Sequence, residues 1–173
     1  MKKILLFTLV TCCISIVKAQ NTAYGSGALS NISLGRYNSA FGTNALLNTT
    51  NGDSNIGVGE FAVISNTTGS YNIGIGNLAL NSNTIGTGNL AIGVWAMNNN
   101  VSGTENIAIG NSAGHSINTG SNNILIGHDY SFSGLITGSS NTIIGTGISG
   151  LSSTLSNTII LADGSGNQRL YIK

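Results

Sequence analysis

Charge is what this sequence has least of. Only 6% of its 173 residues are Asp, Glu, Lys or Arg, against about 25% in an ordinary soluble domain, so the surface has to be polar without being charged. Because 40% of the residues are apolar, the composition also excludes the low-hydrophobicity, high-charge regime of disordered tails. The six basic residues form no cluster, and clustered Lys and Arg are what phosphate backbones require; nucleic acid is excluded as a partner. Cysteine is confined to Cys12 and Cys13. Both lie in residues 1–19, which read as a secretory signal peptide: Lys2 and Lys3 at the start, a mostly apolar stretch from Ile4 to Val17, and Val17-Lys18-Ala19 as the cleavage site. That stretch falls short of the roughly 20 residues of a spanning helix, so no transmembrane anchor is expected in this chain. Leu9-Val10-Thr11-Cys12 has a faint likeness to a lipoprotein processing site, with Thr a poor residue before the cysteine. After cleavage no disulfide framework is possible. Three basic groups (Arg36, Arg169, Lys173) then face five acidic ones (Asp53, Glu60, Glu105, Asp129, Asp163). The expected location is extracellular or on the outer surface of a bacterial cell.

What is abundant is glycine, with 25 residues, and asparagine, with 24, and both fall in a repeat. Asn, any residue, a small residue, a large apolar residue and Gly recur with the Asn at 21, 38, 55, 72, 89, 106, 123, 141 and 157. The spacing is 17 six times, then 18, then 16. A period this strict means one supersecondary unit stacked on itself, each copy burying its apolar face against its neighbours. The organisation expected is a signal peptide (1–19), a repeat domain (20–156), and a last coil with a capping segment (157–173).

The columns of the repeat predict an all-β solenoid. Before each Gly stands a large apolar residue (Tyr24, Phe41, Val58, Ile75, Ile92, Ile109, Ile126, Ile144, Ile160), and two residues earlier a second column runs through Ile56, Ile73, Leu90, Ile107 and Ile124. Alternation at a spacing of two, in β-branched residues, is a strand signature. Between them lies a column that is small at first (Ala23, Ala40, Gly57, Gly74, Ala91, Ala108) and then larger (Leu125, Ile143, Ile159). Ala28, Ala45, Ala62, Ala79, Ala96 and Ala113, each three past the Gly, predict a second short strand. Gly35, Gly52, Gly69, Gly86, Gly103 and Gly120, ten past it, predict corners where positive φ is needed. If the isoleucines fill the coil, the small column faces outward, and Ala23, Ala40, Gly57, Gly74, Ala91 and Ala108 become the contact surface of a homo-oligomer.

Asn106-Ile-Ala-Ile-Gly110 and Asn89-Leu-Ala-Ile-Gly93, each with Ala at the third place after the Gly, resemble the head repeats of YadA-like trimeric autotransporter adhesins. Tyr37-Asn-Ser-Ala-Phe-Gly-Thr-Asn-Ala-Leu-Leu-Asn-Thr-Thr50 resembles related arrays in bacterial surface proteins and phage tail fibres. The resemblance covers residues 21 to about 161. It implies a left-handed parallel β-roll of about nine 17-residue coils, three chains side by side, and attachment to a host, glycan or matrix surface. The repeat is longer than in typical adhesin heads. No heptad run, membrane barrel or self-cleaving chaperone domain follows it. The closing segment, Asn157 to Ile172, resembles the end of such arrays and reads as two strands about Asp163-Gly164-Ser165-Gly166. A tail-fibre-like receptor-binding segment is the alternative within binding proteins; a trimeric left-handed-helix enzyme is the alternative of another class, and no six-residue period supports it.

Chemistry-bearing residues are few. His115 and His128 have no Cys, His or paired carboxylate at a ligand-like spacing, no nucleophile elbow accompanies an acid and a base, and the turns carry Asn, Thr and Gly where calcium-binding rolls carry Asp. No catalytic residue, metal or cofactor is expected. Phe61, Leu78 and Trp95, second after the Gly in three successive coils, form the candidate ligand-contacting stripe; burial beside Val63, Leu80 and Met97, which share their parity, is the competing reading. Thr50, Thr67 and Thr84 stack in another column that suggests an ice-binding or glycan-facing ladder, broken at Val101 and Asn118. The glycosylation sequons at Asn31, Asn48, Asn66 and Asn100 read as by-products of Asn/Thr-rich turns.

Overall fold

The computed structural model describes residues 20–128 and 134–173. The signal peptide at residues 1–19, its Cys12, and Asp129 lie outside the described residues. All regular elements among the described residues are strands. β1 (Thr22–Tyr24), β2 (Ser39–Phe41), β3 (Ile56–Val58), β4 (Ile73–Ile75), β5 (Leu90–Ile92), β6 (Ile107–Ile109), β7 (Ile124–Ile126), β8 (Thr142–Ile144) and β9 (Ile159–Ala162) stack in chain order as one parallel sheet, and β10 (Gln168–Ile172) joins β9 antiparallel. Equivalent residues of successive repeats pair directly, as Ile56 with Ile73, Ile73 with Leu90 and Leu90 with Ile107. The chain is a β-solenoid. Nine parallel strands bound eight turns, one fewer than the coils expected, because β9 is closed by β10 instead of winding on.

The side on which the core lies is the reverse of the expectation. Ala40, Ala91, Ala108, Leu125, Ile143 and Ile160 are fully buried, and so are Gly57 and Gly74, whereas Ile56, Ile75, Ile124, Ile144, Ile159 and Leu161 each keep more than a third of their surface. Ala40, Gly57, Gly74, Ala91 and Ala108 therefore cannot be a contact surface between chains, and Ala23 lines the open first coil. The reason is room. The centre of the coil already holds Leu46, Val63, Leu80 and Met97, all with no exposed surface, and each sits against the central strand residue of the next turn. A Cβ added to Gly57 would lie 3.1 Å from Leu46 Cγ, and one added to Gly74 2.6 Å from Val63 Cγ2. The pairing is volume-compensated: where the strand residue grows to Leu125, the residue opposite shrinks to Gly114, whose added Cβ would be 3.0 Å from Leu125 Cδ1. Interiors packed to crystal-like density enforce such complementarity.

Two further expectations change. The segment after each strand is a series of tight turns, not a second strand: Ala45 N donates to Gly42 O, Leu47 N to Asn44 O and Thr49 N to Leu46 O, while the alternate amides of Leu46 and Asn48 donate across to Ala62 O and Ile64 O of the next turn. Every second residue is thereby left-handed, with φ of 56° at Asn44 and 53° at Leu46. The corner glycines, Gly35 to Gly120, do not take positive φ. They are glycine for lack of space, since a Cβ on Gly52 would strike the carbonyl oxygen of Gly69 directly above. The last repeat is also displaced by one from the sequence reading. Thr158, not Asn157, takes the asparagine position, Ile160 the core, and Leu161 the outward position.

The repeated asparagine is the polar spine of the roll. Each side-chain Oδ1 accepts the backbone N–H of its equivalent one turn on, and each Nδ2 donates to a corner carbonyl. Asn89 shows the full set: Oδ1 accepts from Asn106 N and Nδ2, both at 3.1 Å, while Nδ2 donates to Gly103 O at 2.8 Å and Asn72 Oδ1 at 3.1 Å. The side chains are fully buried from Asn38 to Asn123, apart from 1% at Asn89. An amide suits this place because it is both donor and acceptor along one axis. A shorter ladder runs Asn66, Asn83, Asn100, with Asn83 Nδ2 donating to Asn66 Oδ1 and Asn100 Nδ2 to Asn83 Oδ1; it ends against Ile117, leaving Asn100 Oδ1 buried without a partner.

The far end is closed by a compact turn. Asp163 accepts hydrogen bonds from Asn167 Nδ2 at 3.1 Å, Ser165 N at 2.9 Å, Asn167 N at 3.1 Å and Arg169 Nε at 2.9 Å. These bonds, the Asn167 side chain foremost, hold its carboxyl down to about 2. A depressed carboxyl pKa stabilises above its ordinary value and loses that contribution as pH falls through the folded value. The β9–β10 hairpin is expected to loosen between about pH 4 and pH 2 while the asparagine spine persists, as read by NMR shifts of Leu170 and Tyr171; Asp163→Asn should remove the transition.

Candidate functional site

Phe61, Leu78 and Trp95 occupy the turn that follows β3, β4 and β5, and the backbone ladder puts them in consecutive turns. Phe61 N donates to Thr43 O, Leu78 N to Glu60 O and Trp95 N to Asn77 O, at 2.9–3.0 Å. The stripe is not swallowed by the core: Val63, Leu80 and Met97 are fully buried, Phe61 and Leu78 are half-buried, and Trp95 is 39% exposed beside Val94 at 45%. All three backbones are left-handed, with φ of 57°, 59° and 62°. The same column holds Gly27, Asn44 and Ser112 in other turns, also at positive φ. Small or amide residues take this conformation with less strain than bulky ones.

Around Trp95 the surface is built by neighbouring turns. His115 stacks on it with ring centroids 6.1 Å apart and planes 26° from parallel. Its pKa is lowered from the ordinary value by burial, so the imidazole is neutral at pH 7. Asn99 Nδ2 lies 3.5 Å from His115 Nδ1, Asn98 Nδ2 donates to Leu78 O at 3.3 Å, and Asn111 Oδ1 accepts the Ser112 hydroxyl at 2.9 Å. Asn77 Nδ2 reaches Glu60 Oε2 at 3.3 Å. No Lys or Arg occurs between Tyr37 and Gln168. The sequence pointed to the three stripe residues; His115, Asn98 and Asn99, five to six residues past the glycine, join them only because the turns are tight.

Other candidates take structural roles. Thr50, Thr67 and Thr84 each donate the side-chain hydroxyl to the carbonyl of the equivalent residue one turn on, at 3.0–3.1 Å, so the threonine ladder is turned to stitching coils together. Asn66 and Asn100 of the sequons are buried, while Asn31 is exposed. His128 is exposed. Among the described residues no group of three or more His, Cys, Asp or Glu could hold a metal ion, and no helix is long and apolar enough to cross a membrane. The open first coil leaves a cavity of about 270 Å³ lined by Asn21, Ala23, Leu29 and Ile32.

No protein-family model, curated protein or solved structure matches the chain.

The outward face of the sheet is apolar over much of its extent. From β3 to β9 its two columns are aliphatic throughout except at Thr142, from Ile56 and Val58 to Ile159 and Leu161, and no charged residue interrupts them. With parallel strands about 4.8 Å apart, the strip crosses seven of the nine parallel strands.

Proposed function

We propose that this chain is a secreted, adhesive binding module of the kind its repeats resemble, a YadA-like head, non-catalytic and working as a homotrimer that meets through the outward face of the sheet. The observation that carries the reading is that face: uncharged and, Thr142 apart, aliphatic over seven strands, on a chain whose single-coil core is filled without it. Monomers rarely expose so long a contiguous apolar patch, and such patches mark association sites. Association would also set three copies of the corner stripe on one rigid rod, and display of several weak sites on one body raises avidity steeply.

The test is retention of residues 20–173 on immobilised matrix and cell-surface glycoprotein layers. The wild-type chain should be retained, and Ile107→Glu, which puts a charge at the centre of the outward face, should lower retention by about a hundredfold or more. Equal retention of wild type and variant, or retention of neither, contradicts the reading.

A further inference from the structure

The surface about Trp95 has properties that neither packing nor backbone demands. Its position is left-handed, where Asn44 and Ser112 serve in other turns, so the backbone does not select an indole there. Nor does burial, since Trp95 keeps 39% of its surface. Beside it are His115 of the next turn, stacked against the indole, Asn98 and Asn99 of its own turn, with Asn99 Nδ2 3.5 Å from His115 Nδ1, and Asn111 at the start of the next turn. An aromatic plate with a few polar groups beside it is part of the make-up of a small-molecule site.

From this geometry we infer that Trp95, His115, Asn99 and Asn111 form a subsite for a neutral pyranose sugar. The inference rests on the adhesive reading above and names what the module grips. A pyranose ring offers one face of C–H groups, which lies on an indole, and a rim of hydroxyls that both donate and accept. Carboxamides answer such a rim because each carries two donors and an acceptor. Asn111 gives its Oδ1 to Ser112, leaving its amide hydrogens for an outside acceptor. The ligand is neutral because the repeat has no Lys or Arg from Tyr37 to Gln168 to pair an acid, and Glu60 stands two turns away on the same edge. Leu78 and Phe61 continue the plate, so a second ring of a linear oligosaccharide lies along the stripe.

Trp95 is the only tryptophan, so its fluorescence reports on the site directly. Cellobiose, lactose and chitobiose are titrated into residues 20–173, with 3′-sialyllactose as the charged comparison. A saturable change in emission with at least one neutral disaccharide is expected, and weaker binding of the sialylated one. Trp95→Asn fits the left-handed backbone as Asn44 does and should keep the fold; by calorimetry it should weaken the sugar by about tenfold or more, with His115→Ala also weakened. Absence of any response to the neutral sugars, or undiminished sugar binding by a folded Trp95→Asn, overturns the inference. If surface retention persists in Trp95→Asn, the adhesive reading stands and the subsite alone fails; if the wild-type chain neither binds sugar nor is retained, both fail.

Discussion

Replacing Asn89 by aspartate is expected to destabilise the roll by several kcal/mol at neutral pH and by much less near pH 3. The amide donates to Gly103 O and Asn72 Oδ1 from inside the coil; a carboxylate there would point negative charge at two acceptors with no water to screen it. An uncompensated buried charge or orphaned polar group carries a penalty of about 1–3 kcal/mol for a neutral group and more for a charged one. The carboxyl pKa must therefore be raised in the folded state above the unfolded value of about 3.9. Stability is then greatest below that value, where the protonated acid donates one hydrogen bond, and declines by about 1.4 kcal/mol per pH unit until the buried group ionises. Denaturant midpoints of Asn89→Asp measured across this range should fall with rising pH, while those of Asn89→Ala, low throughout, should not move. A pH-independent Asn89→Asp would mean that the spine is wet.

Leu125→Ala should cost about 2–5 kcal/mol, the usual range for emptying a leucine from a packed interior, and Gly114→Leu in that background should restore most of it. Leu125 and Gly114 exchange the sizes that Ala108 and Met97 have one turn earlier, and Gly114 already has the left-handed φ, 62°, that Leu80 and Met97 adopt at 52° and 46°. The double variant therefore copies a pairing the chain uses elsewhere. Gly114→Leu alone should be destabilising, because its Cβ would meet Leu125 Cδ1 at 3.0 Å and Met97 Cγ at 3.1 Å and overpacking costs about 1–3 kcal/mol. Coupling of opposite sign to the single effects is expected in a double-mutant cycle; additive effects would contradict the packing described.

The period, the strands and the parallel stacking were legible because seventeen-residue spacing writes every inter-turn contact into one column. Which face turns inward was not. Ile75 and Ala91 alternate equally well either way, and the choice depends on how much of the coil centre Leu46, Val63, Leu80 and Met97 already fill, a question of volume that periodicity does not carry. The turn after each strand was misread as a strand because Ala45-Leu46 and Ala62-Val63 resemble one in composition; their alternating left-handed residues, Val63 at 54° among them, violate local preference and are held by inter-turn hydrogen bonds. The asparagine column was visible, but its reason, a carboxamide donating and accepting along the solenoid axis, needed the eight-turn stack. At the candidate site Trp95 and its stripe stood out in sequence; His115 did not, since twenty residues separate it from the indole it covers.

The proposal that the roll works as an assembly depends on the outward aliphatic face, and the molar mass of residues 20–173 in solution tests it most directly. Light scattering should give three times the chain mass for the wild type and the single-chain mass for Ile107→Glu, with the strand signature in circular dichroism unchanged. A monodisperse monomer for the wild type would contradict the account.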